Sequence, residues 1–277
     1  MFEEIITLTG VGAGPRSIII GGIHGHERCG IEALKNVSQN LKIEKGEVVF
    51  IFGNPRAIEL NKRFVEANLN RMFKSDEFIS EKDRGSYEYA RAQFLKQYLN
   101  SADVLLDIHA SSNSKSQPFI ICESNAKGII EYLPVNTTVS GFDNIEPGGT
   151  DYYMNSIGKI GICVECGYLG DPASYNIAEE SIINFLKARG HVKNDLAPSK
   201  QSCIRVYYLH ITKTDKFRLK RQFRDLEDIA EGEVIGIDGN QEIFADRKSV
   251  ILFAKDRDMI GEEAFLIGEE ENALIKA

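Results

Sequence analysis

From residue 17 to about residue 190, short and almost purely apolar runs alternate with segments of helical periodicity. The run SIII (17–20) precedes a stretch in which Ile31, Leu34, Val37 and Leu41 recur on one helical face. VVFIF (48–52) leads through Asn54-Pro55 into a segment starting at Ala57, and Tyr87, Ala90, Phe94 and Tyr98 mark a second amphipathic helix. VLLDI (104–108), PFIIC (118–122) and GICVEC (161–166) are further buried-strand candidates. A helix over about 174–189 ends at Gly190, a residue suited to the position after a helix stop. Runs this apolar have no solvent face, so helices must cover the sheet on both sides. The pattern predicts an α/β fold.

After about residue 195 the texture changes. KNDLAPSKQS (193–202) is polar, contains a proline and reads as a linker. Beyond it come short β-type runs divided by turn signals, with Asp238-Gly239 as a hairpin turn. The basic stretch 216–221 alternates with apolar residues, which favours a solvated strand face over an anion-binding patch. A chain of 277 residues can build one large core or a core with a satellite. The change in texture selects the second.

Composition removes several function classes. Lys and Arg total 33 against 41 Asp and Glu, a net charge of -8, with a pI of about 5.3. Phosphate recognition needs a concentrated positive field, so neither nucleic acid nor an anionic membrane is an expected partner. The longest apolar runs fall far short of the roughly 20 residues of a membrane span. The N-terminal MFEEIITL has no basic region and does not read as a signal peptide. Five dispersed cysteines form no disulfide framework, and reduced thiols lead to the expectation of a cytoplasmic protein. Cys163 and Cys166 lie in an apolar run and read as core thiols. No phosphate-binding G-x-x-x-x-G-K-[ST] loop or G-x-S-x-G nucleophile elbow is present, and Gly10, Gly12 and Gly14 precede a strand rather than join a strand to a helix.

Polar residues at the ends of apolar runs carry the positive signal. His24 and Glu27 follow SIII directly, Asp107 and His109 close VLLDI, and Glu165 sits near the end of GICVEC. His-x-x-Glu alone is commonplace in a chain with 5 His and 41 acids; its position is what raises it. Open α/β sheets bind ligands beyond the carboxyl ends of their strands. A carboxylate there costs several kcal/mol to bury unless it is paired or bound to a metal. Taken singly, His109 also reads as a satisfied core histidine and Glu165 as half of an ion pair. Together, two imidazoles and a carboxylate are a common zinc set, and a further carboxylate beside the open position is what a hydrolase needs as general base.

The sequence resembles the aspartoacylase and succinylglutamate desuccinylase family, a branch of the zinc carboxypeptidase fold. The matching stretches are GGIHGHE (21–27), GNPRA (53–57), RFVEANLNRMF (63–73), DIH (107–109) and VECG (164–167). The resemblance implies a mixed, mostly parallel central sheet flanked by helices. It implies a zinc-dependent catalytic domain over residues 1–195 and a small β domain over 196–277, packing near the active-site entrance. One zinc ion per chain would be held by His24, Glu27 and His109. Glu165 would deprotonate the attacking water, Arg63 would stabilise the oxyanion, and Asn70 and Arg71 would hold the carboxylate of a small-molecule substrate. The implied activity is hydrolysis of the amide of an N-acyl amino acid or similar compound. Alternatives are a metallocarboxypeptidase acting on short peptides and a non-catalytic metal-dependent binder. A homo-oligomer is left open.

Departures from the family pattern narrow the substrate. Asn68 replaces an aspartate expected to bond a zinc-ligating histidine; its carbonyl can still accept but brings no charge. Ala110 and Ser111 follow His109 where the family has Asn-Thr, and His26 stands where aspartoacylases have Asn. Residues 151–156 contain no Arg for an acidic substrate side chain, which argues against N-acetylaspartate. The cleft is expected to be locally positive and to accept a carboxylate.

Overall fold

The computed structural model describes residues 4–271; the first three residues of the N-terminal stretch and the last six of the chain lie outside them. The N-terminal part contributes strands β1 (Ile5–Thr9), β2 (Gly12–Gly21), β3 (Lys45–Phe52), β4 (Val104–Ser111), β5 (Phe119–Cys122), β6 (Thr137–Ser140) and β7 (Ile160–Tyr168). Its helices are α1 (Arg28–Asn40), α2 (Pro55–Leu60), α3 (Glu81–Arg84), α4 (Tyr87–Leu99), α5 (Lys127–Ile130), α6 (Phe142–Ile145), α7 (Thr150–Ser156) and α8 (Ala173–Ala188). The C-terminal part is all strand: β8 (Ser202–Ile211), β9 (Phe217–Leu219), β10 (Glu227–Ile229), β11 (Val234–Asp238), β12 (Gln241–Phe244), β13 (Ser249–Leu252) and β14 (Glu263–Glu271).

Among the described residues, eleven of these strands form one sheet in the order β1-β3-β2-β4-β7-β5-β6-β8-β14-β13-β10. Its centre is parallel: β2 pairs with β3 and β4, and β4 with β7. β1 and β5 run antiparallel to their central neighbours, so the sheet is mixed. All eight residues of β4 are buried, as a strand covered on both faces requires. On one face Ile31, Leu34, Ile182 and Phe185 of α1 and α8 pack on Ile19, Leu106 and Val164. On the other, Ala92, Leu95 and Leu99 of α4 meet Ile18, Ile20 and Leu105.

The α4 stripe differs from the sequence expectation. Its buried residues are Glu88, Arg91, Ala92, Leu95 and Leu99, while Ala90 is exposed and Tyr87, Phe94 and Tyr98 are half-buried. The helix is turned because two of its charges go inside: Arg91 donates to the carbonyls of Gly53 and Phe52, and Glu88 accepts from the backbone N–H groups of Val65, Glu66 and Ala67.

The change in texture near residue 195 is a change of element type within one continuous sheet. β8 pairs in parallel with β6, Thr137 opposite Ser202, and antiparallel β14, β13 and β10 extend the sheet from there. β9, β11 and β12 form a separate three-stranded sheet, in which Asp238 opposite Gln241 closes the hairpin. In the basic stretch Phe217 is buried while Lys216, Arg218 and Lys220 face solvent. Cys163 and Cys166 lie in separate apolar clusters and are free. Among the described residues no helix is long and apolar enough to cross a membrane.

Candidate metal centre and its cavity

β2, β4 and β7 are neighbours and end level, with Gly21 opposite Ile108 and His109 opposite Glu165. The apolar runs that placed these strands in the centre therefore deliver their terminal polar residues to one edge. His24 lies in the turn after β2, and Glu27 is the residue before α1. Its carboxylate makes no capping bond to that helix. Instead Oε1 lies 2.7 Å from His24 Nδ1, and Oε2 lies 3.0 Å from His109 Nδ1 and accepts from the Ala110 N–H at 3.1 Å. The three side chains are buried, with donor atoms all within 4.8 Å of one another.

The opposite ring nitrogens are also tied. His24 Nε2 lies 3.0 Å from Asn68 Oδ1, and His109 Nε2 lies 3.2 Å from Asp107 Oδ2, which also accepts from the Thr150 hydroxyl. Partners on the far nitrogen fix the orientation of a ligating imidazole and leave Nδ1 pointing inward. Asn68 thus occupies the place in which the sequence reading put it. Asp107, fully buried, was not assigned a role from sequence, although its i, i+2 spacing from His109 on one strand face carried the signal.

Burial pushes the His24 imidazole down to about 4, with Arg63 adding to the effect. His109 is also buried, but the charges of Asp107 and Glu27 outweigh desolvation and hold it well above the usual imidazole value. Burial alone would raise Glu27; the two histidines bring it well below the carboxylate range. Two imidazole nitrogens and a carboxylate, preorganised in this way, fit a zinc-type ion.

Glu165 completes the group. It is 8% exposed, lines the same cavity, and its Oε2 is buried with no hydrogen-bond partner. Burial, reinforced by Glu27 and Asp225, pushes its carboxyl up to about 8. An unpaired carboxylate here is costly to the fold and has the placement of a group that exchanges protons with a ligand.

Arg63 lines the cavity, half in solvent, with Nη1 3.6 Å from Glu27 Oε1. Asn70 lines it as well, its Oδ1 buried and without a partner. Arg71 reaches the cavity but is held by carboxylates: Nε and Nη2 donate to Glu263 at 2.9 and 2.8 Å, and Nη2 also donates to Glu146. Burial pushes Glu146 up to about 8, whereas the hydrogen bonds and charge of Arg71 overcome burial at Glu263 and bring it down to about 2. Binding a substrate carboxylate through Arg71 would mean displacing one of them. Glu146, Glu263, Lys255 and Arg257 are cavity residues that no sequence pattern marked. With them, six carboxyl groups face four Arg and Lys side chains across the cavity. His26 lines an adjoining, more open pocket rather than this cavity.

Residues 13–189 match the family model of the succinylglutamate desuccinylase/aspartoacylase catalytic domain. A probable aspartoacylase of Nostoc sp. is 29% identical over 163 residues, 55% of each chain. An N-acyl-aromatic-L-amino acid amidohydrolase of Danio rerio is 25% identical over 193 residues, covering 61% of this chain and 58% of that one. The chain spans about half the length of the curated relatives it matches. The fold is similar to that of the succinylglutamate desuccinylase crystal structure from Vibrio cholerae, with a TM-score of 0.82 at 22% identity over 97% of this chain and 86% of that one.

Proposed function

Because the chain belongs to the succinylglutamate desuccinylase/aspartoacylase family, we propose that it is a zinc-dependent amidohydrolase cleaving a small N-acyl amino acid or related amide. The observation that carries this reading is Glu165, an unpaired buried carboxylate facing the same cavity as the His24, Glu27 and His109 donors. His24, Glu27 and His109 would hold the zinc, which when bound would supply Lewis acidity to water and to a carbonyl. Glu165 takes the proton of the attacking water and returns it to the leaving nitrogen. Arg63 faces the negative charge that develops on the carbonyl oxygen. Asn70 contacts the substrate beside it, and Arg71, tied to Glu146 and Glu263, shapes this wall and engages a carboxylate only by giving up one of those partners.

Two features favour this reading over its alternatives. Phe253 and Lys255, which follow β13, and Glu263 and Phe265 of β14 form part of the cavity wall, which suits a compact substrate better than an extended peptide. A simple binder needs neither a proton acceptor nor an arginine beside the donor set.

Purified protein should hold one zinc per chain, and His24→Ala should lose it; tight zinc unaffected by the substitution would refute the ligand assignment. Glu165→Gln should retain zinc and lose about 10²–10⁴-fold of the hydrolysis of N-acyl amino acids. Equal trace activity in both proteins would remove catalysis from this site.

A further inference from the structure

Charge is unevenly placed along the cavity. Arg63, Lys255 and Arg257 line both it and the adjoining open pocket, whereas Asp143, Glu146 and Asp151 line the cavity alone. Arg71, between the two groups, is already matched by Glu146 and Glu263. Asp151 accepts from the Tyr152 N–H and has the carboxylates of Asp107 and Asp143 as neighbours; burial pushes its carboxyl up to about 6. A Cβ at Gly149 would stand 2.4 Å from Asp151 Oδ1 and 3.2 Å from the unpartnered Asn70 Oδ1, so two acceptor oxygens converge over a residue with no side chain. Acceptors with spare lone pairs suit a group that only donates, and an ammonium offers three N–H bonds and the complementary charge. Asp151 also opens the segment 151–156, where the family resemblance leads one to look for an arginine serving an acidic side chain. The polarity of that wall is reversed here.

We propose that this wall is a cation subsite, and that the substrate is an N-acyl derivative of a diamino acid or diamine whose free ammonium is received by Asp151 and Asn70, with the carboxyl group of Asp143 nearby. This rests on the amidohydrolase reading for the reaction, but not for recognition of the cation.

The test is calorimetric binding to zinc-loaded Glu165→Gln protein, in which turnover is blocked. The ligands are Nα-acetylornithine, its near-isostere Nα-acetylnorleucine, and Nα-acetylglutamate. The ornithine compound should bind about tenfold more tightly than norleucine, with glutamate weakest. Adding Asp151→Asn, or separately Asp143→Asn, should bring the ornithine-to-norleucine ratio towards one. Equal or tighter binding of norleucine or glutamate overturns the subsite, as does absence of binding by all three. Hydrolysis by the wild type separates the two readings: turnover of all three without preference for ornithine sinks the subsite alone. Cation-selective binding without hydrolysis of any of them supports the subsite and counts against the proposed reaction.

Discussion

Asn68 and Asp107 stand behind different histidines, but only one brings charge. Asp107 has a carboxylate 3.2 Å from His109 Nε2, while His24 is backed by an amide oxygen at 3.0 Å. A charged partner raises the basicity of a ligating imidazole, and partners of this kind change metal affinity by about 10–100-fold. Asn68→Asp should therefore tighten zinc by roughly tenfold in competition with a chelator; unchanged or weaker binding would show that this bond does not limit affinity. Far from the site, His191 is fully buried between Ser17 Oγ and the Lys45 carbonyl, 2.8 and 2.9 Å away. Burial lowers its pKa from the usual 6.5. As pH falls below 6.5 the unfolded chain takes up this proton first, so the stability His191 supplies is present above that value and is lost on acidification. The stability gap between wild type and His191→Gln should narrow from pH 7.5 to pH 5.5 in urea denaturation. A gap independent of pH would refute the assignment.

α4 shows what hydrophobic periodicity captures and what it misses. The helix was legible, but its buried face was not, because Glu88 and Arg91 go inside to satisfy backbone groups rather than to pack apolar surface. His24, Glu27, His109 and Glu165 were legible for the opposite reason: each ends or follows an apolar run, and parallel pairing brings those ends level. The partners of Arg71 were illegible, since Glu263 is 192 residues away and nothing periodic links the two. Glu88 anchors the loop that carries Arg63 and Asn68, taking three consecutive backbone N–H groups and the Asn54 amide. Glu88→Gln leaves fewer acceptor lone pairs for the same donors. It should cost about 2–4 kcal/mol of stability and reduce kcat/KM at least about tenfold. Thermal unfolding and kinetics together check this, and a stable variant of normal activity would show that the loop holds itself.

Across the whole molecule, the sheet runs without interruption from the His24–Glu27–His109 cluster into the C-terminal strands. Phe119, Ile121 and Val139 share a core with Ile204, Val206 and Leu266. Ending the chain at residue 195 would expose that apolar surface and leave β6 as an open edge, a template for aggregation. The truncated chain should be insoluble, and the full chain should melt in one calorimetric transition; a soluble, zinc-binding fragment 1–195 would refute this coupling. The division of the cavity has a further consequence. The three donors and Glu165 come from the ends of β2, β4 and β7, whereas much of the wall around a ligand comes from residues 142–152 and from beyond residue 250. On the proposed reading, reactivity and selectivity are encoded on separate stretches of chain. Divergence in one can change which molecule is accepted while the apparatus that acts on it is inherited intact.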